Sequence, residues 1–168
     1  MKYNNLIPNE IRTHFDIIEV KKDTEDSLVK GKIRCCDTNS FEVLVTGKVK
    51  YGIFSKMKLF PKNDIIVFEL CCKKCGKIFS VFYTEYNGYD ECKGICIENR
   101  KKPDLLIKCR KCQAMDFSVE LQYEYPDIQE LEQLKISDVS NAYTWVRGMI
   151  ECNRCGTRYR NFLDCETG

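Results

Sequence analysis

Two cysteine pairs constrain this chain more than anything else in it. Between Ile107 and Tyr159 it reads IKCRKC, then a strand-like segment, then MIECNRCGTRY, so that Cys109 and Cys112 form one CxxC turn and Cys152 and Cys155 another. Two intervening residues let both sulfurs of a turn converge on one cation, and two such turns supply the four thiolates of a tetrahedral structural zinc site. Cys109, Cys112, Cys152 and Cys155 are therefore the expected ligands of the second half.

The first half repeats the pattern loosely. Ile33-Arg34-Cys35 parallels Ile107-Lys108-Cys109, and Cys72, Cys75 and Gly76 parallel Cys152, Cys155 and Gly156. Each first pair precedes a Phe-containing strand, SFEVLVTGKVKY or DFSVELQYEY, and each second pair runs into an aromatic-containing strand. Such self-similarity predicts a duplicated unit. The glycine after each second cysteine predicts a positive φ on leaving the turn. The first pair of the first half, however, is Cys35-Cys36 with nothing between. Neighbours in a strand point to opposite faces, so these two share an ion with difficulty. The first site is then Cys35, Cys36, Cys72 and Cys75, or a set that borrows Cys71, Cys92 or Cys96, or it is lost. Cys71 and Cys165, together with Cys92 and Cys96, otherwise read as small buried or surface thiols.

Twelve cysteines in 168 residues leave a choice between a secreted disulfide scaffold and an intracellular metal protein. The opening MKYNNLIPNEIRTHF has no signal-like apolar core or cleavage site, and no run approaches the ~20 apolar residues of a membrane span. Both point to a reducing cytoplasm, to zinc as the cofactor and to no membrane partner. Lys and Arg number 27 against 25 Asp and Glu, a balance that demands neither nucleic acid nor a membrane.

Elsewhere the chain reads as strands: FDIIEVK (15–21) alternates at period two, and LVKGKIRC (28–35), DIIVFEL (64–70), KIFSVFYTEY (77–86) and AYTWVRGMIEC (142–152) are further strand-like runs. Short helices are expected at 1–14, where Pro8 suits a first helical position and Ile7, Ile11 and Phe15 share a face. Another is expected at 126–134, opened by Pro126, acidic outside and apolar along Ile128, Leu131 and Leu134. The expected fold is mainly β: an irregular ribbon unit at 1–98 and a four-cysteine ribbon at 99–168. Each has so small a core that metal supplies its folding free energy.

The residues CRKC…CNRCG resemble the zinc-ribbon superfamily, over the second half and more loosely the first. That resemblance implies knuckles at the ends of adjacent hairpins clamping one ion. The fuller pattern runs from SFEVLVTGKVKYGIF through a second CxxCG to TWVRGMIECNRCG and FLDCET. It is similar to uncharacterised small cytoplasmic tandem-ribbon proteins of Gram-positive bacteria. Through them it implies an immunity protein that neutralises a secreted toxin.

Catalysis is not expected. Four cysteines leave zinc no open position for water. The residues preceding the pairs, Cys71, Lys108 and Glu151, do not fit the nucleobase-deaminase pattern. His14, the one histidine, reads as a polar residue on a short helix with no nucleophile in recognisable context. There is no phosphate loop, and CxxC in a β-rich chain lacks the setting of a thioredoxin pair. Two stretches bear on partners. Arg100 to Lys111 carries six basic residues against Asp104 and suits phosphate. Asp116 to Asp138 carries seven acids against Lys135 and includes Tyr123 and Tyr125, with Tyr143 and Trp145 just beyond, which read either as rings that cover the sheet of a small domain or as binding anchors. The longer acidic block favours a protein partner of basic character, such as a toxin; a nucleic-acid-binding ribbon is the alternative.

Overall fold

The computed structural model describes residues 3–22, 26–53, 56–87, 102–127 and 139–167. Strands dominate them: β1 Phe15–Lys22, β2 Asp26–Ile33, β3 Phe41–Thr46, β4 Lys48–Tyr51, β5 Met57–Phe60, β6 Val67–Cys72, β7 Ile78–Tyr83, β8 Leu105–Leu106, β9 Phe117–Pro126, β10 Trp145–Cys152 and β11 Arg158–Glu166. Nine form one branched antiparallel sheet; β4 and β5 make a separate hairpin. Alternation along the strands sets the faces: along β9, Phe117, Val119, Leu121, Tyr123 and Tyr125 are buried and the residues between them half-buried.

The internal repeat is present as backbone register. β3–β6–β7 and β9–β10–β11 are equivalent antiparallel triplets. Phe41 pairs with Cys72 as Phe117 does with Cys152, and Cys71 with Ile78 as Glu151 does with Arg158. The triplets meet where Phe41 pairs with Phe117. Equivalent residues facing one another is the signature of a two-fold contact, here between two halves of one chain.

The leading strands are exchanged between the halves. β2, which leads to Cys35, lies against β9 with Gly31 opposite Leu121 and Lys32 opposite Glu120. β8, which leads to Cys109, lies against β3 with Leu105 opposite Val45 and Leu106 opposite Leu44. These are the same two pairs in the two copies. The expected division at residues 98 and 99 lies outside the described residues, but pairing runs across it in both directions. In place of a tiny core per ribbon there is one contiguous cluster, drawing Val43, Phe68 and Phe79 from one copy and Val119, Ile150 and Phe162 from the other. Near its centre Phe68 approaches its own counterpart, Gly148: a Cβ there would sit 3.6 Å from the Phe68 ring and 3.1 Å from Leu163.

Both expected helices need correction or fall out of view. The described residues of 1–14 form no α-helix; they make two 3-10 turns, Tyr3–Leu6 and Arg12–His14. Ile7, Ile11 and Phe15 are buried as their spacing required. The turns win because the Arg12 guanidinium bonds the Ile7 carbonyl at 2.9 Å and the Tyr125 hydroxyl bonds the Leu6 carbonyl, which removes acceptors a helix would use. Pro126 ends β9 rather than opening a helix, its partner across the sheet being Asp26; residues 128–138 lie outside the described residues.

Candidate metal centres

The structure gathers two groups of four cysteine sulfurs, Cys35, Cys36, Cys72 and Cys75, and Cys109, Cys112, Cys152 and Cys155, each with all sulfurs within 4.8 Å of one another. Three of the four knuckles share one backbone device. The N–H after the second cysteine bonds the carbonyl of the first at 2.8 Å: Gly76 to Cys72, Gln113 to Cys109, Gly156 to Cys152. The donor residue has positive φ in each, 71° at Gly76, 61° at Gln113 and 69° at Gly156. The two glycines behave as their position predicts, and Gln113 does the same with a side chain.

The fourth knuckle resolves the Cys35-Cys36 difficulty. Cys36 is not in a strand. Cys35 and Thr38 exchange two backbone hydrogen bonds of 2.9 Å, and between them Cys36 and Asp37 have φ of 52° and 57°. Two central residues with positive φ make a type I′ turn, the same turn Asn63 and Asp64 form elsewhere in this chain. The turn swings Cys36 back, leaving its sulfur 3.8 Å from that of Cys35. Seven residues separate Ile33 from Phe41 and nine separate Ile107 from Phe117, so the first knuckle is a CxxC shortened by two. Asp37 was the available signal, since Asp tolerates this conformation and marks turns.

The donor sets fit a tetrahedral ion. Bonds of about 2.3 Å to four sulfurs imply sulfur separations of about 3.8 Å. Cys35 lies 3.7 Å from Cys75, Cys109 lies 3.5 Å from Cys155, and Cys112 lies 3.5 Å from Cys152. All ten described cysteines are free thiols. Both groups can therefore hold metal ions, consistent with zinc. Cys71 and Cys165 stand outside both groups, and Cys92 and Cys96 lie outside the described residues.

The two centres differ in surroundings. In the first, Cys36 and Cys75 are exposed; in the second, Cys112 and Cys155 are half-buried. In the second, Tyr159 reaches over the site: its oxygen accepts the Arg110 N–H at 2.8 Å, which leaves its hydroxyl to donate to Cys109 Sγ at 3.3 Å. Burial pushes the Cys109 thiol up, but that hydroxyl and the Cys112 and Lys111 N–H groups outweigh it and leave it below the ordinary value. At the equivalent place the first site has Phe79, stacked 4.7 Å from His14. His14 also contacts the Arg34 carbonyl at 3.1 Å and Lys77 Nζ at 3.1 Å and touches no sulfur. Cys155 is lowered to about 6 by the Thr157 hydroxyl and N–H, and Cys75 to about 7 by the Lys77 N–H and Cys36. Burial raises Cys35 and Cys152 to about 12.

The candidate anchors divide. Tyr123, Tyr125 and Tyr143 are fully or almost fully buried and pack on one another, Tyr123 and Tyr143 at 4.9 Å, so they belong to the core rather than to a surface. Trp145 is half-buried, its indole N–H held by Asp164 at 2.8 Å. Of the basic stretch, Lys102, Lys108, Arg110 and Lys111 are described and exposed.

Fold and donor chemistry together define a mainly β chain with two four-cysteine groups able to hold metal. No protein-family model, no curated protein and no solved structure matches it. Among the described residues no helix is long and apolar enough to cross a membrane.

Proposed function

We propose that this is a non-catalytic cytoplasmic protein in which two structural zinc ions, one per repeat, brace a β platform that binds a protein partner. The observation that carries the zinc assignment is the gathering of the sulfurs in two separate groups, all within 4.8 Å of one another and 3.5 to 3.8 Å apart in their near pairs. Residues 1–98 and 99–168 are then two copies of one ribbon unit. Cys35, Cys36, Cys72 and Cys75 would hold one ion and Cys109, Cys112, Cys152 and Cys155 the other. Each ion supplies folding free energy on the order of 10 kcal/mol, strongly dependent on pH. A reducing compartment keeps such thiols available. Elemental analysis of purified protein should find two zinc ions per chain; a mass showing all cysteines paired as disulfides would sink the assignment.

The acidity of residues 116–138 supports a protein partner of basic character, a toxin held by its immunity protein among them. Affinity purification from native cells should recover such a partner. A nucleic-acid reading is favoured by one observation: Arg110 lies 5.5 Å over the Tyr51 ring among exposed lysines. Salt-sensitive binding of RNA or DNA without any protein partner would decide for that reading.

A further inference from the structure

The pseudo-two-fold gives Cys35 and Cys75 counterparts in the other centre, Cys109 and Cys155. The first pair of sulfurs lies 3.7 Å apart and the second 3.5 Å. The pairs are alike in spacing and unlike in cover. Cys75 is exposed where Cys155 is half-buried, and Cys35 is 5% exposed where Cys109 is 0%.

Hydroxyl groups make a second difference. Two places after Cys155, Thr157 sets its hydroxyl 3.1 Å from that sulfur; four places after it, Tyr159 sets its hydroxyl 3.3 Å from Cys109. At the same offsets from Cys75 stand Lys77 and Phe79, which have no hydroxyl to offer. Both turn to His14 instead, Lys77 Nζ at 3.1 Å and the Phe79 ring at 4.7 Å. A hydrogen bond donated to a thiolate holds its charge and makes it a poorer nucleophile. Accessible thiolates free of that restraint are the ones hydroperoxides oxidise.

We propose that the first centre is a site of oxidation by hydroperoxides, in which Cys75 attacks the peroxide and Cys35 closes a disulfide with it while the second centre stays reduced. The Cys75 thiolate attacks one peroxide oxygen: an S–O bond forms, the O–O bond breaks, and the departing oxygen takes a proton to become water or an alcohol. The Cys35 thiolate then attacks the Cys75 sulfur: an S–S bond forms, the S–O bond breaks, and hydroxide leaves to become water. The two sulfurs lose two electrons and the peroxide gains them. Only Cys36 and Cys72 of the four sulfurs then remain to hold an ion, so the first site empties. This rests on the two-zinc reading above and adds a reaction to one of its sites.

The test uses the full chain, reduced, zinc-loaded and freed of excess metal, with zinc counted before hydrogen peroxide is added. Release to a chromophoric chelator and mass mapping of disulfides follow the reaction. One ion per chain should leave, with a Cys35–Cys75 disulfide formed and Cys109 and Cys155 still reduced. Lys77→Thr with Phe79→Tyr should slow that release about tenfold or more, the effect of a hydrogen bond to a charged sulfur. Thr157→Lys with Tyr159→Phe should bring the second ion out at a rate near that of the first. Both ions leaving together from the unaltered chain, a disulfide joining Cys75 to Cys92 or Cys96, or rates indifferent to the exchanged side chains would each overturn the inference. Fewer than two ions before peroxide would overturn the zinc reading and this inference with it, so the two failures are told apart.

Discussion

Three residues show how individual side chains set the centres. Cys36 holds a left-handed conformation that costs an ordinary residue about 1–2 kcal/mol, and the ligand role proposed for it would account for its presence. Cys36→Asn keeps a residue at home in that turn while removing the sulfur. It should reduce the zinc count from two to one, the C-terminal site keeping its ion; Cys165→Ser, outside both groups, should leave two. Tyr159 orients Cys109 and stabilises its charged form. Tyr159→Phe should weaken the C-terminal site about 10–100-fold, read by competition with a chromophoric chelator, and leave the other unchanged. Gln113 has the φ that its two counterparts satisfy with glycine. Gln113→Gly should stabilise the chain by about 1 kcal/mol in denaturant unfolding.

At the scale of elements the exchanged strands govern stability. β2 and β9 pair from Asp26 opposite Pro126 to Lys32 opposite Glu120, so neither half closes its sheet without the other. Amides of β2, β9 and β10 should therefore exchange with solvent as one cooperative unit, whereas β1, at the outer edge, should open earlier. Gly31 is held by close approach: a Cβ there would lie 2.3 Å from the Phe15 ring and 2.6 Å from the Asp16 carbonyl. At Gly148 the contacts are looser but central. Gly148→Val should destabilise by roughly 1–3 kcal/mol, because the Leu163 and Phe68 side chains must shift inside a filled core.

For the whole molecule, a shared core changes what metal removal does. A chain with two isolated small cores would unfold on chelation; here the buried cluster spans both copies, and Cys35, Cys72, Cys109 and Cys152 are members of it. Release should be stepwise, the exposed Cys36–Cys75 site emptying before the Tyr159-covered one. Acid should act in the same order. Cys75 and Cys155 are lowered from 9.0 to about 7 and about 6, so the stability their thiolates confer is complete above 9.0 and lost as pH falls through those values. Zinc release followed in small steps from about pH 8 to about pH 5 should show the N-terminal ion leaving first.

Local chemistry was enough to read the knuckles, because CxxC spacing and a following glycine act within a few residues. Strand-like runs bounded by turn residues likewise announced β2, β3, β6, β9 and β10. The Cys35-Cys36 turn escaped that reading because strand geometry was assumed where Asp37 allows a reversal. For Tyr123, Tyr125 and Tyr143 two readings stayed open, rings covering the sheet or surface anchors, because an aromatic's burial depends on what packs over it, here the segment carrying Leu6. The exchange of β2 and β8 was beyond reach for a deeper reason. Either leading strand meets similar hydrogen-bond partners on β3 or β9, and only the joint packing of Phe41, Phe117, Phe68 and Gly148 at the pseudo-axis decides which one each takes.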